Sequence, residues 1–199
     1  MSVNWASITR EKTLAEQFAD RKARSFARLA PEIRARIEDI EAQVNALPQD
    51  PGLYGICHGD FHNNNFFVES NNVWLFHFDG CCYANHLYDV ASFVQACFLH
   101  GYRAGGDFRK ALYEDILPYM KIGYEINKPC DTHYWDHLEL MIAYRSCYAL
   151  MALAEINICG VMEIEKAKGF FNQIIMHEDI LAAMSAAMNP DPAGKNGTV

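Results

Sequence analysis

His58-Gly59-Asp60-Phe61-His62-Asn63-Asn64-Asn65, residues 58–65, is the densest polar run in the chain. It follows an apolar approach at 53–57 and precedes two short stretches, 65–69 and 73–78, rich in Phe, Val and Trp. Ser70-Asn71-Asn72 joins those stretches with residues that tolerate the left-handed backbone of a tight turn, so a β-hairpin is predicted there. The polar run is therefore a loop presented on a packed scaffold. An aspartate with an amide five residues later, followed across a hairpin by another acid, suits phosphoryl transfer. One carboxylate accepts a hydroxyl proton, while an amide and a second carboxylate hold a metal ion.

Outward from this loop the pattern is helical. Residues 9–29 carry Leu14, Phe18, Phe26 and Leu29 at helical spacing among charged residues. A second helix begins at Pro31, carries Ile33, Ile37, Ile40, Val44 and Leu47 on one stripe, and stops at Pro48. The turn cluster at 48–52 is the main internal boundary. Beyond the hairpin, helices are expected over roughly 87–100, 107–126, 132–158 and 161–187, separated by Gly105-Gly106, Pro129 and Gly160. One unit over 1–188 is expected, with leading helices at 1–47, the loop and hairpin at 53–83, and a disordered tail at 189–199 that has no apolar anchor.

Composition narrows the function classes. The 199 residues are 51% hydrophobic, enough for a sizeable core, and carry a formal net charge of −8. That balance argues against nucleic-acid or membrane-surface partners. The most apolar stretch, 141–158, is interrupted by Arg145 and Glu155, so no membrane span is expected. Seven cysteines without a C-x-x-C spacing fit reduced, buried thiols and a cytoplasmic location. The basic cluster Arg21, Lys22, Arg24 and Arg28 reads either as a phosphate site or as a solvated helix face balanced by Glu16 and Asp20; the overall acidity favours the face.

The segments HGDFHNNNFFV (58–68), WLFHFDGCCY (74–83) and LYDVA (87–91) together resemble the aminoglycoside phosphotransferase and choline kinase-like family, including its homoserine kinase-related members with a protein-kinase-like fold. The resemblance implies an α+β, mostly α fold: the C-terminal lobe of a kinase-like protein, a helical bundle with a small hairpin. It implies ATP-dependent phosphorylation of a small-molecule hydroxyl with Mg²⁺. In the catalytic loop, Asp60 resembles the base, His58 the scaffolding histidine and Asn65 a magnesium ligand, while Asp89 resembles the acid that braces the loop.

Two departures accompany the match. The family's principal magnesium-binding aspartate corresponds to His77, whose imidazole lacks the charge and hard oxygen that Mg²⁺ prefers. Asp79, two residues on, is the acid available to complement it. Further, no glycine precedes Gly52, and residues 37–102 hold eight acids and no Lys or Arg, so a nucleotide needs metal ions or a basic residue from elsewhere. The chain thus reads as a lobe apart from its ATP-gripping half, which is lost or separately encoded; a partner of that kind, or a homodimer, follows. The alternative is a non-catalytic, pseudokinase-like interaction module. Two further readings stay open: a zinc site from His58, Asp60, His62 and His77, and a cation-receiving surface from Asp131, Tyr134, Trp135, Asp136 and Glu139, against ordinary packing and hydrogen bonding for the same residues.

Overall fold

The computed structural model describes residues 12–50, 52–99, 112–126, 133–156 and 162–176. The elements in chain order are α1 (Leu14–Ser25), α2 (Pro31–Asn45), β1 (Tyr54–Cys57), β2 (Phe66–Glu69), β3 (Asn72–Leu75), β4 (Cys82–Asn85), α3 (Leu87–Leu99), α4 (Leu117–Glu125), α5 (Leu138–Glu155) and α6 (Met162–Met176). A π-helical turn, Leu112–Ile116, leads into α4, and a 3-10 turn, Tyr134–His137, leads into α5.

The starts of α1 and α2 have local causes. Thr13 caps α1 through a reciprocal box: its hydroxyl accepts from the Glu16 amide at 3.2 Å while the Glu16 carboxylate accepts from the Thr13 amide at 2.8 Å. Pro31 occupies the first turn of α2, where its missing N–H costs nothing. The predicted stripe Ile33, Ile37 and Ile40 is buried.

Helix α5 is the hub. It buries Leu138, Met141, Ile142, Tyr144, Cys147, Leu150 and Met151, and packs against α1, α2, α3 and α6. Such burial around most of a helix requires an apolar sequence with few charges. Phe18 of α1 stacks on Tyr144 of α5 with ring centroids 4.3 Å apart. Two polar members of this core satisfy each other: the Gln95 amide donates to the Ser146 hydroxyl at 2.7 Å, which donates to the Ile142 carbonyl at 2.8 Å.

Two antiparallel pairs complete the architecture. The predicted hairpin is β2–β3, with Phe66 opposite Leu75 and Glu69 opposite Asn72. Ser70 and Asn71 both have positive φ, 50° and 63°, as a two-residue primed turn requires. Its second strand ends at Leu75, short of the expected 78, because the chain turns at His77 into a left-handed conformation (φ 66°, ψ 56°). The β1–β4 pair, with Cys57 opposite Cys82, was not expected as a sheet. It brings the two ends of the 53–83 region together and is tied to the segment just before α1 by the Tyr83 amide donating to the Lys12 carbonyl at 3.1 Å. The expected tail at 189–199, and most of the stretch between α3 and the π turn, lie outside the described residues.

Candidate active site

The loop after β1 is held by backbone contacts on two sides. Asp89, in the first turn of α3, accepts from the His58 amide at 2.7 Å with one carboxylate oxygen and from the Gly59 amide at 2.9 Å with the other. Burial raises the Asp89 pKa, and the two amides oppose that shift. His58 is buried; its Nε2 lies 2.9 Å from the Phe76 carbonyl and its Nδ1 accepts from the Asp60 amide at 3.3 Å. One ring nitrogen thus ties the loop to the residue after β3 and the other braces the loop internally, which makes His58 a brace rather than a ligand or reactant.

Gly59 has φ +78°, and a Cβ there would lie 1.8 Å from the Gly80 carbonyl oxygen. The loop therefore presses backbone to backbone on the segment that carries His77 and Asp79. A side chain is excluded at 59 on both conformational and steric grounds.

Asp60 and Asn65 are brought together. The Asn65 amide nitrogen donates to the Asp60 carbonyl at 2.8 Å and lies 3.3 Å from its carboxylate, while the Asn65 backbone is fixed to His62 and Phe76. Asn65 is 5% exposed, and none of these bonds uses its carboxamide oxygen. The Asp60 carboxylate remains 31% exposed, open to a reactant. His62 Nε2 stands 3.4 Å from that carboxylate and Nδ1 accepts from the Asn64 amide.

His77 and Asp79 pair with each other at 3.2 Å, on exposed side chains at the mouth of the same cavity as Asp60. Among the described residues no three His, Cys, Asp or Glu side chains gather as a metal-holding group. The four-residue zinc arrangement is not assembled, because His58 is committed to the loop.

The residue that sequence reasoning missed is Arg145. It projects from the hub helix α5, forms an ion pair with the Asp60 carboxylate, and lies 3.4 Å from both the Gly59 carbonyl and the Tyr88 hydroxyl. Burial pulls its pKa down, but Tyr88 and Asp60 outweigh that, so the group stays charged. It is the cation that the acidic 37–102 stretch lacks. The available signal was a single Arg inside an apolar helix, since a buried charge requires a partner.

The other candidates resolve into structure. Of the basic cluster, Lys22 pairs with Glu41 at 2.7 Å, Arg24 with Glu155 at 3.2 Å, and Arg28 donates to the last carbonyls of α5. These residues clamp helices to each other. Tyr134 and Trp135 are core residues; the Trp135 ring donates to Glu125 at 3.0 Å and already carries Lys121 over its face. Asp136 pairs with His133, and Glu139 accepts from the Tyr113 hydroxyl. Asp131 lies outside the described residues.

Comparisons with known proteins bear on the fold and the family. The described fold is similar to that of the amicoumacin kinase hAmiN, solved in complex with AMP-PNP, Ca²⁺ and Ami: the TM-score is 0.72 at 15% identity, over 91% of this chain and 54% of the kinase chain. A Synechocystis sp. (strain ATCC 27184 / PCC 6803 / Kazusa) protein described as "Uncharacterized protein sll1119" is 29% identical over 108 residues, covering 47% of this chain and 29% of that protein. The chain thus spans about half the length of the solved kinase and less than a third of the curated relative. The model of the phosphotransferase enzyme family matches residues 5–120, a segment that contains the braced loop, the hairpin and Asp89. With its kinase-like fold and its Asp60–Asn65 loop, this chain belongs to the phosphotransferase enzyme family.

Proposed function

We propose that this chain carries the catalytic loop of an ATP-dependent phosphotransferase acting on a small-molecule hydroxyl. The observation that carries the reading is the Asp60–Asn65 pair, locked by the 2.8 Å bond yet leaving the Asp60 carboxylate partly open. Asp60 accepts the hydroxyl proton as the acceptor oxygen attacks the γ-phosphorus of ATP and the bond to the β,γ-bridging oxygen breaks to release ADP, and Arg145 holds the carboxylate in register for it. His58 and Asp89 keep the loop rigid, which preserves that geometry.

The donor chemistry fits a divalent cation. Asn65 offers a carboxamide oxygen and Asp79 a carboxylate that is 86% exposed, both hard oxygen donors of the kind Mg²⁺ takes. When bound with ATP, such an ion offsets phosphate charge. His77 orients Asp79 through their 3.2 Å contact rather than serving as a ligand. The AMP-PNP and Ca²⁺ in the hAmiN complex support a nucleotide and a divalent ion for this chain. We place the domain at 1–188 and the protein in the cytoplasm; Cys57, Cys81, Cys82, Cys97 and Cys147 form no disulfide, and no helix among the described residues is long and apolar enough to cross a membrane.

The test is MgATP binding and turnover for the chain, for Asp60→Asn, for His77→Asp, and for the chain mixed with any separately encoded N-lobe. Asp60→Asn is expected to lose about 10²–10⁴-fold in rate. A second reading, a non-catalytic interaction module, draws on His77 at the family's metal-aspartate position. Absence of nucleotide binding in every preparation would establish that alternative.

A further inference from the structure

Tyr88 is buried at the start of α3, one residue before the acid that holds the loop amides. Two consecutive side chains of α3 therefore act on the catalytic loop: Asp89 on its backbone, and Tyr88 on Arg145. The Tyr88 ring lies edge-on to Tyr144 at 6.4 Å, and Tyr144 stacks on Phe18 at 4.3 Å, so the phenol is fixed by the core. Burial pushes its pKa upward against the opposing pull of Arg145, which leaves a neutral hydroxyl as acceptor. The Arg145 guanidinium needs such a post. Its Nε makes no hydrogen bond, so the two terminal nitrogens alone set its plane. One bonds to the Asp60 carboxylate; the other donates to the Gly59 carbonyl and to the Tyr88 hydroxyl, both at 3.4 Å. Gly59 and Asp60 belong to the loop itself. Tyr88 is the acceptor on a separate, core-packed element, and a planar fork meets all three where a lysine ammonium does not.

We infer that Tyr88 is a positioning residue: by holding one arm of Arg145 it fixes the angle at which the Asp60 carboxylate meets the acceptor hydroxyl. The inference rests on the phosphotransferase reading above and carries the hold of Arg145 on Asp60 back to the core residue that sets its direction. Without the Tyr88 hydroxyl, every remaining hydrogen bond of the guanidinium runs to the loop, so the ion pair swivels with the loop instead of restraining it.

Urea unfolding of the full chain as Asp60→Asn, Tyr88→Phe and the double variant tests this without requiring turnover. Both residues bond to Arg145 and not to each other, so coupling between them passes through the guanidinium. The unfolding constant of the double variant is expected to differ from the product of the single effects by about three-fold or more. The same cycle built on Arg145→Lys, which keeps the charge but loses the fork, is expected to show no such difference. Multiplicative effects in the first cycle, or undiminished coupling in the second, would overturn the inference. ADP formation from MgATP, with water as the acceptor, supplies a readout that packing alone does not move. Tyr88→Phe is expected to lower kcat by about ten-fold, to keep KM for ATP within about two-fold, and to leave the residual rate of Asp60→Asn unchanged. A lower melting temperature with kcat intact would make Tyr88 a packing residue and overturn the inference too. Coupling through Arg145 in a wild-type chain that forms no ADP would instead count against the phosphotransferase reading and leave the positioning contact standing.

Discussion

Gly59 is the residue on which the loop depends most sharply. Its φ of +78° and the 1.8 Å approach of a would-be Cβ to the Gly80 carbonyl leave no rotamer that could relieve the clash, because the obstacle is backbone. Gly59→Ala is expected to lower stability by about 3 kcal/mol or more, read as a shift of the urea midpoint, with the Asp60 loop displaced. Asp89 supports the same loop by accepting two backbone amide hydrogen bonds. Burial raises its folded-state pKa above the ordinary aspartate value, so the folded chain holds its proton longer, and stability present below the unfolded pKa is lost as pH rises through the folded one. Asp89→Asn removes that titration. Urea midpoints measured upward from pH 4 should fall more steeply in the wild type than in the variant, although the variant starts lower for lack of a second acceptor oxygen. These positions show what sequence makes legible. Asp60, Asn65 and Asp89 lie in short motifs whose spacing carries the chemistry, whereas Arg145, 85 residues from Asp60, reads in isolation only as a break in an apolar run. Its function appears once the hub helix is folded against the loop.

Among the elements, the hairpin and the helices were legible because their signals are local: alternating apolar residues around a turn, a proline at a helix start, and a stripe of isoleucines. The β1–β4 pair was not, because its strands lie 25 residues apart at the Cys57–Cys82 position and no turn sequence joins them directly. Its stability comes from packing, with Cys57, Cys82 and Ala84 in the core. Those thiols are protected there; burial pushes the pKa of Cys57 upward, so its native-state alkylation is expected to be slow until the chain unfolds. The hairpin turn itself is improvable. Asn71 holds φ 63° in the second turn position, where glycine adopts the same conformation without a Cβ penalty. Asn71→Gly is expected to raise stability by about 0.5 kcal/mol, read by thermal melting, with the site unaffected because the turn lies at the far end of the hairpin.

At the scale of the whole molecule, the hairpin poses a problem that the described residues do not solve. Phe67, Val68, Val73, Trp74, Leu75, Phe76 and Phe78 are all more than 40% exposed, on both faces of a two-stranded ribbon. A ribbon of this size is marginal in water unless packed, and a contiguous apolar surface of this kind marks an interaction site. It borders a cavity of about 880 Å³, lined by Ile56, Phe61, Val73, Phe78 and Met120, that shares no lining residue with the one beside Asp60. The chain spans 54% of the solved kinase, so the surface is consistent with a second polypeptide segment docking there, which is the partner we propose. In the isolated chain the same surface should drive self-association. Static light scattering over a concentration series is expected to show mass rising with concentration for the wild type. Trp74→Lys, a charge placed at an exposed strand position, should suppress that rise while leaving the melting temperature within the small range of an ordinary surface substitution. A wild-type chain that stays monomeric at all concentrations and binds no more of a hydrophobic dye than Trp74→Lys would show that the hairpin face is stable in water by itself. The need for a docking partner would then disappear, while the Asp60 loop, anchored by Asp89 and Arg145 on the helical side, would keep its geometry unchanged.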